Sequence, residues 1–241
     1  MGSYAAAAEF YDLLYLGRKD YRAETEMIAG VIREGNPDAR RVLDVGCGTG
    51  EHLRHLRDLG FEVDGVDLEP AFVDLARRKS PEARIQVGDM ATLALPDRYD
   101  AVLSLFSAIG YVCTRERLRQ TVARLAAHLT PSGVLVVEPW FQPGEMTDRY
   151  LTMVTGEAED LKVCRASRLV IDGTISRLEF GYLIARPEGL QQRSEVHELG
   201  LFTRAEMEEA FRQAGLSATM LPDAMASRGL YVGRRTTVAA S

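Results

Sequence analysis

Three acidic residues follow three predicted buried strands, and the first of them opens a glycine-rich turn. Asp44 begins the run Asp44–Gly50, in which the third, fifth and seventh residues are glycine, and Asp67 and Asp89 follow the next two strands. Glycines between a strand and a helix let a cofactor approach the backbone closely. Because the carboxyl ends of parallel strands meet at one edge of a sheet, we expect the three carboxylates to share one ligand site.

The chemistry of this turn favours a cationic cofactor over a dinucleotide. A dinucleotide-binding turn has a third glycine at the position that is Glu51 in this chain. The Asp44 and Glu51 carboxylates would repel a pyrophosphate, whereas S-adenosylmethionine carries an ammonium and a sulfonium group and no phosphate. Asp67 is then placed for the ribose hydroxyls and Asp89 for the adenine amino group. The alternative is a structural glycine turn without a ligand.

The elements around these acids alternate between strand and helix. Apolar runs of strand length alternate with segments whose apolar residues recur at helical spacing, which predicts a doubly wound parallel sheet with helices on both faces. The predicted strands are 41–45, 61–66, 84–87, 100–105 and 134–138, and the predicted helices are 24–34, 51–59, 70–79 and 115–129. The triplet 131–133 is predicted to be a turn.

Beyond residue 139 the pattern changes to one typical of antiparallel strands. Three strands at 163–171, 174–186 and 193–202 are separated by turn signals, which predicts a small inserted antiparallel layer. A helix at 204–214 follows, with Thr203 and Glu206 as its predicted capping box, and strands at 216–221 and 229–233 would complete the main sheet. We therefore predict a helical lid at 1–40, an α/β core at 41–145 and 203–236, and an inserted layer at 146–202.

Composition limits the classes of partner. The chain has 241 residues, 46% of them hydrophobic, and a formal net charge of −6, so it lacks the overall positive field of a generic nucleic-acid binder. Its three cysteines are widely spaced without a C-x-x-C pair, which argues against a disulfide framework and a zinc site. The first eight residues do not resemble a signal peptide, and no apolar run approaches the roughly 18 residues of a membrane span. We expect a cytoplasmic protein with no membrane or metal partner.

Several further motifs carry a resemblance to a known family. They are Glu9–Asp12, Gly17–Tyr21, Asp44–Gly50, Gly88–Met90, Phe106–Gly110, Val137–Phe141, Leu201–Thr203 and Ser227–Leu230. With these motifs the chain resembles the class I S-adenosylmethionine-dependent methyltransferases. More narrowly, it is similar to the N,N-dimethyltransferases that act on nucleotide-linked amino sugars in macrolide antibiotic pathways, such as those for desosamine and mycaminose.

The resemblance implies an activity, a substrate and an assembly. The activity would be N,N-dimethylation of a TDP-linked amino-deoxysugar in antibiotic biosynthesis, by a homodimer whose inserted layer helps to cover the substrate. Tyr11 and Tyr21 would flank the cofactor, and Arg228 would hold the substrate pyrophosphate. The other residues assigned to the cofactor by this reading are Asp44, Gly46, Cys47, Gly48, Asp67, Leu68, Asp89 and Met90. Ser107 and Trp140 would join Arg228 at the substrate, and Tyr4, Tyr111 and Glu138 are the candidates to orient the amine or relay its proton.

One position departs from the family pattern. Tyr111 stands where the macrolide enzymes commonly have a histidine near the sugar amine, and none of the histidines at 52, 55, 128 and 197 is an obvious substitute. The identity of the sugar, the position of its amine and the number of methyl groups added therefore stay open. The alternatives are a methyltransferase for a hydroxyl or another small molecule, and a non-catalytic protein that binds S-adenosylmethionine.

Overall fold

The main sheet is parallel except at one strand. The computed structural model describes residues 7–225 and 228–235, and within these residues this sheet has seven strands. The strands are β1 Arg41–Val45, β2 Glu62–Asp67, β3 Ile85–Val87, β4 Tyr99–Ser104, β5 Leu129–Val137, β10 Leu216–Leu221 and β11 Leu230–Arg235. Their order in the sheet is β10-β11-β5-β4-β1-β2-β3, and all neighbouring pairs are parallel except those made by β11.

The helices lie between the strands much as the periodicity predicts. Their bounds are α1 Tyr11–Tyr15, α2 Tyr21–Gly35, α3 Glu51–Asp58, α4 Pro70–Lys79, α5 Arg115–Ala127 and α6 Arg204–Gln213, and short 3₁₀ helices cover Ala8–Phe10 and Ala108–Val112. The predicted capping box is present, because the Thr203 hydroxyl accepts from the Glu206 N–H and the Glu206 carboxylate accepts from the Thr203 N–H. The mixed α/β class predicted from the sequence is confirmed.

The predicted turn at 131–133 is wrong. These residues belong to β5, which pairs Leu129 with Tyr99 and then Val134 with Ala101, so the register shifts between the two pairs. The β5 side of the pair therefore holds three more residues than the β4 side, and the glycine and proline of the segment are accommodated in this irregularity.

The second sheet has one strand more than predicted. Among the described residues it is an antiparallel meander of four strands, β6 Leu151–Ala158, β7 Leu161–Asp172, β8 Ile175–Arg186 and β9 Gly189–Gly200. The sequence pattern missed β6 because this edge strand buries only Gly156 and so lacks an apolar alternation. A Cβ at Gly156 would lie 2.8 Å from the Leu13 carbonyl oxygen, so glycine lets α1 pack closely on the edge.

The two N-terminal helices pack in different places. Ile28 and Ile32 of α2 are fully buried in the core that contains Val42 and Leu53, so α2 packs on the α/β core. Leu14 of α1 packs instead with the residues of the second sheet. In the part of the chain that the structure describes, no helix is both long enough and apolar enough to cross a membrane.

Candidate cofactor and substrate site

A cavity of about 370 Å³ lies at the carboxyl ends of β1, β2, β3 and β4. Its wall contains nine of the ten residues predicted for the cofactor, namely Tyr11, Tyr21, Gly46, Cys47, Gly48, Asp67, Leu68, Asp89 and Met90. The sequence pattern did not indicate several other wall residues, which are Thr49, His52, Glu69, Pro70, Phe72, Leu105, Ala108, Val112 and Arg117. These residues come from helices and loops whose patterns are explained by packing alone.

The glycine turn needs two of its glycines for different reasons. Gly46 has φ +83°, and a Cβ there would lie 2.6 Å from the Ala108 Cβ. Gly48 has φ +55°, but a Cβ there would meet no atom within 4 Å, because the position faces open space. Gly46 is therefore required for the packing of the turn, whereas Gly48 leaves room for a ligand.

Asp67 holds the turn in place from the neighbouring strand. Its carboxylate accepts hydrogen bonds from the Gly48 N–H at 2.7 Å and from the Glu69 N–H at 2.9 Å. Burial raises the pKa of Asp67 against the effect of these backbone hydrogen bonds. Because a carboxylate has about four lone-pair sites, it can accept from ribose hydroxyls as well.

Asp89 lines the cavity and has a cationic neighbour. The Arg117 guanidinium is 3.0 Å from one Asp89 oxygen, and the Ala91 N–H donates to the other oxygen at 2.8 Å. The carboxylate is thereby held in one orientation on the cavity wall. Its remaining lone pairs suit an amino-group donor such as that of adenine.

Asp44 is the predicted cofactor residue that does not reach the cavity wall. Its side chain is buried, 1% exposed, and neither of its carboxylate oxygens has a hydrogen-bond partner among the described residues. Burial raises the pKa of Asp44 to about 6. A cation bound in the adjacent cavity would favour the ionised carboxylate, so the site fits the ammonium and sulfonium groups of S-adenosylmethionine.

Replacing Asp44 with asparagine is expected to stabilise the cofactor-free protein and to weaken cofactor binding. The folded-state pKa of about 6 lies above the ordinary value of 3.8, so the stability of the cofactor-free protein falls as pH rises through this window. Above pH 6 the folded protein bears the full cost of burying the ionised carboxylate. Removing the charge should therefore raise the unfolding free energy by about 1–3 kcal/mol. The cofactor affinity should fall about tenfold with the loss of attraction.

Thermal unfolding and calorimetry at pH 7.5 would measure both effects in Asp44→Asn. Asp58→Asn is the matched control, because Asp58 is exposed at the end of α3. A decrease in the melting temperature of Asp44→Asn together with unchanged cofactor affinity would contradict the role assigned to this carboxylate.

Glu51, the other acid of the turn, forms ion pairs with two neighbouring cations. Its carboxylate lies 2.7 Å from the Lys79 ammonium and 2.9 Å from the Arg54 guanidinium. Lys79 also contacts Asp12 of α1, which accepts a 2.6 Å hydrogen bond from the Thr49 hydroxyl. Glu51 lines the cavity, and its ion pairs also connect α1 and α4 to the glycine turn. Its attraction for a cationic cofactor stays a prediction.

The two predicted flanking tyrosines enter the cavity from the N-terminal helices. The Tyr11 ring packs on Phe72 with centroids 4.8 Å apart, and the Tyr21 ring packs edge-on to His52 at 5.1 Å. Burial raises the pKa of both phenols, which stay protonated at neutral pH. They can therefore donate hydrogen bonds to a ligand without adding charge to the site.

Glu138 and Arg228 form a buried ion pair behind the cavity wall. Glu138 is fully buried at the end of β5, where one carboxylate oxygen accepts from the Arg228 guanidinium and the other from the Phe106 N–H at 2.5 Å. Phe106 and Ser107 have φ of +50° and +60°, a conformation that side chains rarely adopt. The pair thus holds the strained loop that places Phe106 in the cavity wall.

The other predicted substrate residues also make internal contacts. The Ser107 hydroxyl donates to the Pro139 carbonyl at 2.7 Å, and the Trp140 indole N–H donates to the Ser176 hydroxyl at 2.8 Å. The Trp140 contact joins the core to β8 of the second sheet. Tyr4 and Ser227 lie outside the described residues.

Tyr111 lies at the junction of the cavity and the second sheet. It lines the cavity from the 3₁₀ helix Ala108–Val112, and its hydroxyl lies 3.2 Å from the Nδ1 atom of His197 on β9. No local sequence pattern associates these two residues, because they are 86 positions apart. A histidine is therefore present directly behind the tyrosine that replaces the family's histidine.

Comparison with known proteins places this architecture among the methyltransferases. The family model for the methyltransferase domain matches residues 42–133. Over 228 residues the chain is 41% identical to the dTDP-3-amino-3,6-dideoxy-alpha-D-glucopyranose N,N-dimethyltransferase of Streptomyces fradiae, with 94% of this chain and 89% of that protein covered.

Two solved structures extend the similarity to the whole fold. DesVI from Streptomyces venezuelae matches with a TM-score of 0.90 at 40% identity, covering 95% of this chain and 98% of that one. CalS10 from Micromonospora echinaspora, an amino pentose methyltransferase solved with S-adenosylmethionine bound, matches with a TM-score of 0.85 at 39% identity, covering 94% and 96%. These similarities confirm the predicted fold and the predicted cofactor.

Proposed function

We propose that this chain, which belongs to the family of S-adenosylmethionine-dependent sugar N-methyltransferases, N,N-dimethylates the amino group of a TDP-linked amino-deoxysugar in antibiotic biosynthesis. The observation that carries the proposal is the extent of the similarity to the Streptomyces fradiae enzyme. It covers 94% of the chain, whereas the general methyltransferase model stops at residue 133, before the second sheet. The similarity thus includes the layer that would cover a substrate.

The residues of the cavity suit a displacement at a bound methyl donor. S-adenosylmethionine supplies an activated methyl group, so the protein mainly aligns the amine and excludes water. Asp67 and Asp89 would hold the ribose and the adenine. Phe106 and Tyr111 lie on the wall beside the substrate layer. A sugar amine has a pKa somewhat below that of lysine, so part of it is neutral and nucleophilic near neutral pH.

The substrate would enter between the cavity and the second sheet. Tyr4 would approach the sugar and Arg228 the pyrophosphate, with Ser107 and Trp140 shaping the wall between them. Arg228 binds Glu138 through its Nε and Nη2 atoms, which leaves Nη1 as the group that would donate to a diphosphate. Glu138 would then orient Arg228 rather than act as a general base, since both of its oxygens are engaged.

The same proposal includes a homodimer. Leu151 and Met153 of the edge strand β6 are 69% and 70% exposed, and Leu190 at the start of β9 is 72% exposed. An exposed sheet edge with apolar side chains favours pairing with another subunit. Light scattering across micromolar concentrations should give twice the mass of the chain, and a constant monomer would remove this part of the proposal.

We also infer a cytoplasmic location. The cysteines at 47, 113 and 164 are all free thiols, which is typical of a reducing compartment. Fractionation of cells that express the protein would test this location, and recovery of the protein in the secreted fraction would contradict it.

Product mass spectrometry tests the substrate. The purified enzyme would receive S-adenosylmethionine with a panel of 3-amino and 4-amino sugars, each free and TDP-linked, and with the matching 3-hydroxy and 4-hydroxy TDP-sugars. We expect a gain of two methyl groups on a TDP-linked amine. Equal reaction of free sugars, or methylation of a hydroxyl acceptor, would favour the alternative of a different small-molecule methyltransferase.

A further inference from the structure

Four polar side chains form a connected row from the cavity wall into the second sheet. The Tyr111 hydroxyl lies 3.2 Å from His197 Nδ1, and His197 Nε2 lies 3.2 Å from a Glu195 carboxylate oxygen. The same Glu195 oxygen accepts a 2.5 Å hydrogen bond from the Tyr182 hydroxyl. Only Tyr111 of this row lines the cavity.

The row is built into the register of the sheet. Glu195 and His197 share one face of β9, and their partners on β8 are Phe180 and Leu178. The 3₁₀ helix that carries Tyr111 can approach this face because residue 110 is glycine, where a Cβ would lie 2.9 Å from Leu199 of β9. The contact between Tyr111 and His197 therefore follows from the backbone packing of two separate elements.

His197 is fully buried among polar and aromatic side chains. Its side chain is 0% exposed and lies against the Phe180 ring, with centroids 5.1 Å apart. The charged groups around it are the Glu195 carboxylate and the Arg165 guanidinium, which lies over the Phe180 ring at 4.5 Å from the ring centroid. Burial and the hydrogen bond to Glu195 raise the pKa of Tyr182, so Tyr182 remains a hydrogen-bond donor to Glu195.

We propose that Tyr111, His197 and Glu195 form a proton relay that deprotonates the substrate amine between the two methyl transfers. The inference rests on the proposed function, because only a dimethyltransferase must remove a proton from its monomethylated product before the second transfer. Tyr111 is the contact with the substrate, and His197 and Glu195 act through it as positioning residues. The relay supplies, from the second sheet, the histidine that is missing at position 111.

The proton step balances in atoms and charge. After the first transfer the product is a secondary ammonium, which loses one N–H proton to the Tyr111 oxygen while its electron pair stays on nitrogen. The Tyr111 O–H proton passes at the same time to His197 Nδ1. The positive charge thus moves from the amine to the imidazolium, where it faces the Glu195 carboxylate. The proton returns to solvent through the same groups once the product has left.

Two substitutions separate proton acceptance from hydrogen bonding. His197→Asn keeps a polar group near the Nδ1 position but cannot take up a proton, and Tyr111→Phe removes the first group of the relay. Each should slow the second methyl transfer about 100-fold at pH 7, so that the monomethyl product accumulates, and should slow the first transfer much less. The double variant should be no slower than either single variant, because the residues act as one unit.

The pH profile is the readout that a structural role would not change. At pH 9.5 solvent deprotonates more of the secondary ammonium, so the defect should shrink to less than about tenfold. His128→Asn is the control for loss of a buried histidine, because His128 binds the Leu95 N–H far from this row. Wild-type amounts of dimethyl product from His197→Asn, or an equal loss of both transfers at every pH, would overturn the relay.

A second measurement does not depend on the substrate. Imidazole nitrogen NMR of the wild-type protein, assigned through His197→Asn, should show the Nε2–H tautomer with Nδ1 accepting a hydrogen bond that Tyr111→Phe removes. An Nδ1–H tautomer would overturn the relay even if no amino sugar is methylated. Conversely, the expected NMR result in a wild-type enzyme that is inactive on every amino sugar would reject the proposed function alone.

Discussion

The free energy of unfolding of the Arg228→Ala variant should be about 3–5 kcal/mol lower than that of the wild type. The reason is that Glu138 is 0% exposed and Arg228 is the cation that pairs with it, so the substitution leaves a buried charge without compensation. The effect should extend to the cavity, because Glu138 also accepts from the Phe106 N–H in a loop with positive φ. Denaturant unfolding in the absence of cofactor measures the change.

Two further variants show whether the buried charge is the cause. Arg204→Ala removes an exposed arginine that lies 2.7 Å from Glu208, and its cost should stay below about 1 kcal/mol. Adding Glu138→Gln to Arg228→Ala removes the buried charge but keeps an oxygen that can accept from the Phe106 N–H. The double variant should therefore recover more than half of the unfolding free energy that Arg228→Ala loses. A loss below 1 kcal/mol in Arg228→Ala would show that the carboxylate is not dependent on this arginine.

The Gly48→Val variant should lose at least about 100-fold in affinity for S-adenosylhomocysteine, or ~2.7 kcal/mol. Gly48 faces open space, so a valine side chain would meet no protein atom at Cβ and would instead occupy the volume of the cofactor. The free energy of unfolding should fall by less than the free energy of binding, because only the φ of +55° at this position strains the folded protein. Isothermal calorimetry measures the affinity.

Gly60→Val is the matched control for backbone strain. Gly60 follows α3 with φ +91°, a Cβ there also meets no atom within 4 Å, and the residue is not part of the cavity wall. Gly60→Val should therefore be destabilised to a similar or greater extent while it binds the cofactor normally. If Gly48→Val bound S-adenosylhomocysteine like the wild type, the cofactor would have to lie elsewhere than at the glycine turn.

The cofactor half of the site could be predicted because its signals are local. The glycine spacing in Asp44–Gly50 and the acids after β2 and β3 are each contained in a few consecutive residues, and the parallel topology brings them together. The alternating periodicity also fixed the class of the fold. In contrast, β6 was missed because an exposed edge strand needs no apolar pattern, and the pairing of Glu51 with Lys79 was not foreseen because Lys79 lies 28 positions away on another helix.

The sequence alone therefore determined the fold class, the cofactor turn and the family, since these depend on backbone conformation and residue type over short segments. Only the tertiary structure decided which charges are paired and which groups share the substrate side. Arg228 meets Glu138 across 90 positions, and Tyr111 meets His197 across 86, through contacts between elements that have no common local pattern. Asp44 is likewise predicted from the sequence as a cofactor residue, but only the packing shows that it is buried with its pKa raised to about 6. The physical reason is that burial and pairing are properties of the assembled layers, which set the solvation and the neighbours of each side chain.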